Sequence, residues 1–270
     1  MAIQEILQKN TFRLFIGVEK RFRFVISAFS LAMIILLASF FEFNSFIVFI
    51  PVLIIAAYFF TYFSLLEGLD RSEWLLLFIM PVFFTISFYL FYFLFPVRWL
   101  TRVPFIVLYG ISIYAILLTS NIFNVGVEKN LQLLRAAFSV NYFYQSILVF
   151  LLTNVLLSFK QTFFVNGLVI FIIVFLLATQ LLWTVKLEIV FDKKLLLYGG
   201  FVAALMAELT VIVSFISLQS TILSLFLTAC YYSFSGLMYH YWDQRLFKNI
   251  IREYLFVIFF VSVLVLLSLN

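Results

Sequence analysis

Charged side chains are scarce in this sequence. Only 11% of the 270 residues are Asp, Glu, Lys or Arg, whereas 66% are hydrophobic and the mean hydropathy is +1.20. About a quarter of the residues of a soluble domain are charged. The 17 basic and 12 acidic residues present here are too few to cover the surface of a soluble fold of this length. The composition therefore excludes a soluble globular domain and predicts an integral membrane protein surrounded by membrane lipid.

Residue types that serve catalysis, redox chemistry or metal binding are equally scarce. The single cysteine, Cys230, excludes an internal disulfide, and the single histidine, His240, has no cysteine cluster to complete a metal site. The sequence contains no GxxxxGK[ST], HExxH or GxSxG motif and no paired aspartates of the Mg²⁺-binding kind. We therefore expect no metal and no cofactor, and hydrolysis or metal-assisted transfer is disfavoured. Nucleic-acid binding is also disfavoured, because the basic residues lie at the edges of apolar runs.

Long apolar runs dominate what is present. A membrane-spanning helix needs about 20 apolar residues, whereas a barrel strand needs only about 9 to 11. The last of the nine apolar runs, residues 254 to 269, is short, but it becomes longer when Ile250 and Ile251 are added. The sequence predicts an all-α polytopic transmembrane bundle of about nine helices. The predicted spans are 24 to 41, 46 to 66, 74 to 95, 105 to 125, 136 to 159, 163 to 185, 195 to 218, 221 to 242 and 254 to 269.

Basic residues alternate between the two sides of these spans. If the amino terminus is inside, the inner segments hold 14 Lys and Arg and the outer segments hold 3. Cytoplasmic loops carry such an excess, which predicts a cytoplasmic amino terminus and an outside carboxyl terminus. Residues 1 to 23 combine basic and apolar residues at near-helical spacing, as in an amphipathic juxtamembrane segment. Residues 24 to 270 are predicted to form a single transmembrane domain.

One carboxylate, Glu208, lies deep in a predicted span. A charged residue at the bilayer centre costs about 2.5 to 3.5 kcal/mol on insertion scales, so it needs a partner or a wet cavity. Gly199, Ala203 and Ala207 repeat every four residues beside it and predict a face that another helix can approach closely. We therefore expect Glu208 to point into the bundle. The same small-residue face is a candidate contact for other membrane proteins.

The short turn between the seventh and eighth spans suggests partners for this acid. Residues at equal depth on the two spans should have numbers summing to about 439, which places Glu208 level with Tyr231 or Tyr232. Gln145 on the fifth span could meet the seventh. The candidate intramembrane polar site is therefore Glu208, Tyr231, Tyr232 and Gln145, with no catalytic residue assigned.

The same arithmetic applies to the turn between the fifth and sixth spans. It pairs Asn141 with Gln180 and Asn154 with Asn166. We interpret both pairs as hydrogen bonds that hold the helices together, each contributing about 0.6 kcal/mol.

Two stretches carry a resemblance to a protein family. NIFNVGVEKNLQLLRAA at 121 to 137 and RLFKNIIREY at 245 to 254, together with the helix of Glu208, resemble segments of an uncharacterised family of bacterial polytopic inner membrane proteins. The resemblance covers most of the chain. It implies a bacterial cytoplasmic membrane and no known activity.

Three functional hypotheses follow. The first is transport or handling of a small molecule or lipid, in which protonation of Glu208 couples to substrate, so that Glu208→Gln abolishes activity. The second is a non-catalytic envelope scaffold or assembly component, in which Glu208 is a helix-to-helix hydrogen bond and Glu208→Gln is mild. The third is an enzyme acting on a lipid-linked substrate at a membrane face through Glu128, Arg135 or His240. The first is slightly preferred.

Overall fold

The computed structural model describes residues 19–41, 46–66, 74–95, 98–125, 131–187 and 192–268. All regular structure in these residues is helical, which confirms the all-α prediction. Within these ranges there are nine helices: α1 (Lys20–Ala38), α2 (Phe46–Leu65), α3 (Trp74–Tyr92), α4 (Trp99–Val125), α5 (Leu131–Ser158), α6 (Phe163–Lys186), α7 (Lys193–Val213), α8 (Ser220–Trp242) and α9 (Lys248–Leu267).

Each of the nine helices is long and apolar enough to cross a membrane. A helix is the expected form, since backbone groups in lipid must be paired within the segment. The predicted spans all correspond to helices, but several ends differ. Helix α9 begins at Lys248, so the lengthening of the ninth span is confirmed. Helix α7 ends at Val213, five residues before the predicted end of its span, and this shift moves Glu208 away from the helix centre.

The chain divides into two compact units. Unit 1 comprises residues 1–89 and 95–134, and unit 2 comprises residues 90–94 and 135–270. The prediction of one domain from 24 to 270 stays a prediction. Most of the predicted juxtamembrane segment, residues 1 to 18, lies outside the described residues.

In unit 1, α1 packs against α2 and α4. Arg102 on α4 is only 6% exposed, and its Nη2 donates to the carbonyl of Ser39 at 3.0 Å. Its guanidinium also lies 4.2 Å from the ring centre of Phe40 and 5.2 Å from that of Trp99. A buried arginine is stable only when it is paired in this way. These contacts explain how an arginine can be buried at position 102.

In unit 2, α6 and α7 pack closely along their length, and α8 packs against α6, α7 and α9. Glycine permits the α6–α7 approach, because a Cβ at Gly199 would lie 2.5 Å from Thr179 Oγ1 and 3.3 Å from Thr179 N. A Cβ at Gly167 would similarly lie 2.8 Å from Val211 Cγ2. Helix α9 is the most exposed, with 17% of its span buried. Unit 2 therefore has a tightly packed side at α6 and α7 and an open side at α9.

Candidate functional site

Helix α8 carries a line of hydroxyl groups at spacings of three and four residues, which keep them on one side of a helix. Three of these hydroxyls donate to a carbonyl four residues earlier on the same helix: Ser224 to Ser220 O, Thr228 to Ser224 O and Ser235 to Tyr231 O. A hydroxyl that donates to its own helix can be buried in apolar surroundings and still accept a hydrogen bond.

Helix α5 runs antiparallel to α8 along this line of hydroxyls. Ser158 Oγ donates to Ser220 Oγ at 3.0 Å, and Asn154 Nδ2 donates to Thr221 Oγ1 at 3.3 Å. Further along α8, Tyr231 donates to Gln145 of α5. The numbers rise on one helix as they fall on the other, so these contacts lie in order along two antiparallel helices, on the side of α8 that carries the hydroxyls. We call this line the α5–α8 seam. Between residues 220 and 235 of α8 it covers about 22 Å at 1.5 Å per residue.

The seam passes through a polar group at the helix midpoints. Tyr231 stands at the midpoint of α8, and Gln145 stands beside the midpoint of α5. Tyr231 Oη donates to Gln145 Oε1 at 2.8 Å. Gln145 Nε2 in turn donates to Gln180 Oε1 on α6 and to the carbonyl of Leu177 at 3.1 Å. Asn141 Nδ2 donates to Gln180 Oε1 at 3.4 Å.

We call Asn141, Gln145, Gln180 and Tyr231 the mid-helix cluster. All four are buried, with exposed fractions between 0 and 3%. The cluster holds only amide and phenol groups, so its burial carries no charge penalty. Amides and phenols donate and accept hydrogen bonds. The cluster is therefore suited to an uncharged partner that can exchange hydrogen bonds with it.

Next to the cluster, three tyrosines meet around a glycine. The hydroxyl of Tyr142 donates to the carbonyl of Tyr232, and the two rings stack with centres 4.9 Å apart. A Cβ at Gly236 would lie 2.5 Å from both Tyr142 Oη and Tyr254 Oη. Only glycine at this position leaves space for both hydroxyls. The polar line thus continues beyond the cluster toward α9.

At the other end the seam opens into a cavity of about 770 Å³. It lies between the turn joining α5 to α6 and the turn joining α7 to α8, and we call it the hairpin cavity. Ser158 and Ser220, which form the last contact of the seam, both line it. Asn166 lines it as well, and its Nδ2 donates to Ser214 Oγ at 3.1 Å. Its buried Oδ1 has no hydrogen-bond donor among the described residues. The seam is thereby connected to an open polar space.

Glu208 does not belong to this site. Its side chain is exposed on α7 and makes no hydrogen bond or ion pair with the described residues. Because α7 ends at Val213, the residue stands about 7.5 Å from the helix end rather than at the centre. The prediction that it points into the bundle is wrong. At 100° per residue, position 208 is about 180° around the helix from Gly199, which faces α6.

The small-residue face of α7 is occupied within the chain. Gly199 contacts Thr179 of α6, Ala203 is fully buried, and the carbonyl of Ala207 lies 3.6 Å from where a Cβ of Gly167 would stand. Another membrane protein cannot reach this face while α6 covers it. Association with other membrane proteins stays a prediction and needs a different surface.

Some of the remaining site predictions agree with the structure and others do not. Gln145 and Tyr231 come together, but they bond directly to each other and not through Glu208. Gln145 contacts α6 and α8, whereas the sequence suggested α7. Tyr232 is 36% exposed and contributes its carbonyl and ring. The pair Asn141 and Gln180 is confirmed.

The predicted pair of Asn154 with Asn166 is wrong. Asn154 bonds to Thr221 on α8, and Asn166 bonds to Ser214. Equal depth on a hairpin does not make two side chains face each other. The period-four hydroxyls of α8 were the sequence signal that could have identified the seam.

The residues of the enzyme hypothesis fall only partly within the described ranges. Glu128 lies outside the described residues. The ring of His240 is half-buried among aromatic rings, 5.5 Å from that of Tyr239 and 6.1 Å from that of Tyr254. In the part of the chain that the structure describes, no three His, Cys, Asp or Glu side chains come together as a metal site would require.

Comparisons with known proteins add no relative. No family model matches the chain, and neither a curated protein nor a solved structure matches it. The resemblance to bacterial inner membrane proteins therefore stays a prediction, and the interpretation of the site depends on its geometry.

Proposed function

We propose that this multi-pass membrane protein transports or handles an uncharged polar molecule along the α5–α8 seam. The molecule is either a small solute or the head group of a lipid. One observation carries the proposal: the hydrogen-bonded mid-helix cluster is connected, through a line of hydroxyls, to the hairpin cavity. A purely apolar helix interface would hold the bundle together without this line.

The chemistry of the seam selects the substrate class. Its described side chains are hydroxyls, amides and phenols, and none carries a charge. An ion would lose its hydration without meeting an opposite charge, at a cost of several kcal/mol. A molecule with hydroxyl or amide groups can exchange its hydrogen bonds to water for bonds to the seam. We therefore infer an uncharged substrate with several hydrogen-bonding groups.

Reconstitution of the full chain in lipid vesicles tests this proposal in two arms. Vesicle swelling measures the flux of glycerol and small sugar alcohols, and a fluorescent phospholipid measures exchange between leaflets. Gln145→Leu, which removes the centre of the cluster, should lower the transport rate at least tenfold in whichever assay the wild type is active. Thr153→Val is the matched control, because the Thr153 hydroxyl donates within its own helix, to Val149 O at 2.7 Å.

The control should retain the wild-type rate. Activity in one arm identifies the substrate as a solute or as a lipid. Equal rates for wild type and Gln145→Leu, or no activity of the wild type in either arm, would contradict the proposal.

The exposed position of Glu208 favours a second candidate, an assembly component of a membrane complex. An exposed carboxylate on a membrane helix is expensive and is stabilised by a donor on another protein. On native gels of membranes extracted with mild detergent, Glu208→Gln should then reduce the size of the complex, whereas Gln145→Leu should not. The opposite pattern would exclude this candidate.

The setting in a bacterial inner membrane and the cytoplasmic amino terminus are part of the same proposal. The loop charges support the orientation. Labelling of cysteines introduced at Lys160 and at Lys194 from outside intact cells tests it, because only the first should react.

A further inference from the structure

Each of the two turns that border the hairpin cavity contributes a glutamine to it. Gln161 lies two residues before the start of α6, and Gln219 directly precedes α8. Both side chains are exposed, and neither forms a hydrogen bond with the described residues. Gln219 stands at the N-cap of α8, but its side chain does not bond to that helix. Two amide groups, each able to donate and to accept, are therefore free to bind a ligand.

The wall of the cavity adds hydroxyl groups that are held in place. Ser158 Oγ donates to Ser220 Oγ at 3.0 Å, and Asn166 Nδ2 donates to Ser214 Oγ at 3.1 Å. The Ser214 hydroxyl donates in turn to Thr210 O of its own helix. The Ser220 hydroxyl acts as an acceptor in its bond, so its own proton remains available. Because Ser220 lines the cavity and is partly exposed, a bound ligand can reach this donor.

The charges of the cavity favour a neutral ligand. Among the described residues that line it, Lys160 is the one charged side chain, and there is no acid. Lys160 is exposed in the turn, where salt screens its charge. A cation would meet no opposite charge, and a phosphate, which only accepts, would use only the N–H side of the two glutamine amides. Hydroxyl groups both donate and accept, so they match the free amides and the Ser220 hydroxyl.

The size of the cavity indicates how many hydroxyl groups the ligand carries. Its volume of about 770 Å³ falls within the range of about 300 to 1,000 Å³ that is typical of small-molecule pockets. The free groups stand on different sides of this space, since Gln161 and Gln219 belong to different turns and Ser220 to the wall. One hydroxyl cannot reach all of them. A ligand of sugar size, with hydroxyl groups on several sides, can.

An apolar surface next to the cavity allows for a lipid tail. Phe215 lies between two lining residues of the cavity, and its ring is 5.2 Å from that of Phe163 at the start of α6. The two side chains are 70% and 48% exposed. The cavity also lies at the ends of helices of membrane-spanning length, which is the level of lipid head groups. A sugar in the cavity can therefore be either free or attached to a lipid.

We propose that the hairpin cavity binds a neutral polyhydroxyl group, of the sugar or sugar-alcohol class, at the entrance to the α5–α8 seam. Gln161 and Gln219 hold this group from the two turns, and Ser220 donates to it from the wall. The group belongs to a free polyol or to the head group of a glycolipid. The proposal rests on the function proposed for the seam, and it adds the residues that select the substrate.

Thermal unfolding of the full chain, in a detergent without sugar groups, measures binding separately from transport. The probes are sorbitol and a glucosyl diacylglycerol. The probe that binds should raise the Tm, and its half-saturating concentration should be at least tenfold higher for the double variant Gln161→Ala, Gln219→Ala. Ser220→Ala should raise that concentration at least threefold. Gln244→Ala is the matched control, because it removes the same side chain from the turn at the opposite end of α8, and it should bind as the wild type does.

The two probes identify the source of the polyhydroxyl group. A rise of the Tm with sorbitol assigns a free polyol, and a rise with the glycolipid alone assigns a lipid head group. Polyols at high concentration stabilise proteins in general, so an equal rise in the double variant would overturn the site. No rise with either probe, or an equal rise with diacylglycerol, would also overturn it. Tighter binding of sorbitol 6-phosphate than of sorbitol would overturn the neutral class.

Comparison with the vesicle assays separates this proposal from the function proposed for the seam. Binding to the cavity without transport by the wild type would contradict the proposed function and leave the cavity site standing. Transport that is unchanged in the double variant Gln161→Ala, Gln219→Ala, at substrate concentrations below half-saturation, would overturn the cavity site and leave the function of the seam standing.

Discussion

Two adjacent glycines of α7 allow a direct test of how closely α6 and α7 pack. A Cβ at Gly199 would lie 2.5 Å from Thr179 Oγ1, 3.3 Å from Thr179 N and 3.5 Å from Thr179 Cα. A Cβ at Gly200 would meet only the ring of Phe175, at 3.9 and 4.0 Å. Alanine is therefore accommodated at position 200 and collides at position 199.

The expected difference follows from two opposing terms. Replacing glycine by alanine within a helix stabilises it by about 0.5 to 1 kcal/mol, and this gain is common to both variants. Inserting a methyl group into a packed contact costs about 1 to 3 kcal/mol. Gly199→Ala should therefore be less stable than Gly200→Ala by about 1 to 3 kcal/mol. Adding Thr179→Ala to Gly199→Ala should recover part of the loss, because Thr179 Oγ1 has no hydrogen bond with the described residues to forfeit.

The free energy of unfolding can be measured with denaturant in mixed micelles, following tryptophan fluorescence. The comparison uses the two alanine variants, the wild type and the double variant under identical conditions. If Gly199→Ala is as stable as Gly200→Ala, or if Thr179→Ala recovers nothing, the described approach of α6 to α7 is incorrect.

Three further predictions concern polar side chains. Tyr231→Phe should lower the free energy of unfolding by about 0.6 kcal/mol, with about 1.7 as an upper value, and its coupling to Gln145→Leu in a double-mutant cycle should be of the same size; additive effects would contradict their hydrogen bond. Arg102→Met should lower the free energy of unfolding by about 1.5 to 3 kcal/mol, because the charged hydrogen bond to Ser39 is lost. Arg102→Lys should not restore this stability, because lysine lacks the planar guanidinium. Full stability of the lysine variant would refute this explanation. Glu208→Gln should change the free energy of unfolding of the isolated chain by less than about 0.5 kcal/mol, since the side chain is exposed, and a larger loss would indicate a partner within the chain.

The helices were predictable because lipid imposes a strong constraint on sequence. Nine apolar runs predicted nine spans, and the described residues contain nine helices of that kind. Helix ends were less predictable, because a helix can continue through polar residues or stop within an apolar run. Helix α5 begins at Leu131, ahead of the predicted 136, while α7 ends at Val213 although apolar residues follow.

The candidate site was only partly predictable. Counting residues from a short turn gives the depth of a side chain, and this was sufficient for Asn141 with Gln180. It failed for Glu208 and Tyr231, which the count places at equal depth on α7 and α8 but whose side chains face different neighbours. The hydroxyls of α8 carried the missing information, because their spacing marks the side that faces α5.

The amino-acid composition alone determined that the chain is helical and suited to a membrane, since a long apolar run can pair its backbone groups in lipid only by coiling on itself. The choice of neighbour for each helix face belonged to the tertiary structure. In lipid, apolar faces gain little from meeting each other, so close packing and a few hydrogen bonds decide which faces touch. Those contacts join distant parts of the chain, as in the bond between Gln145 and Tyr231.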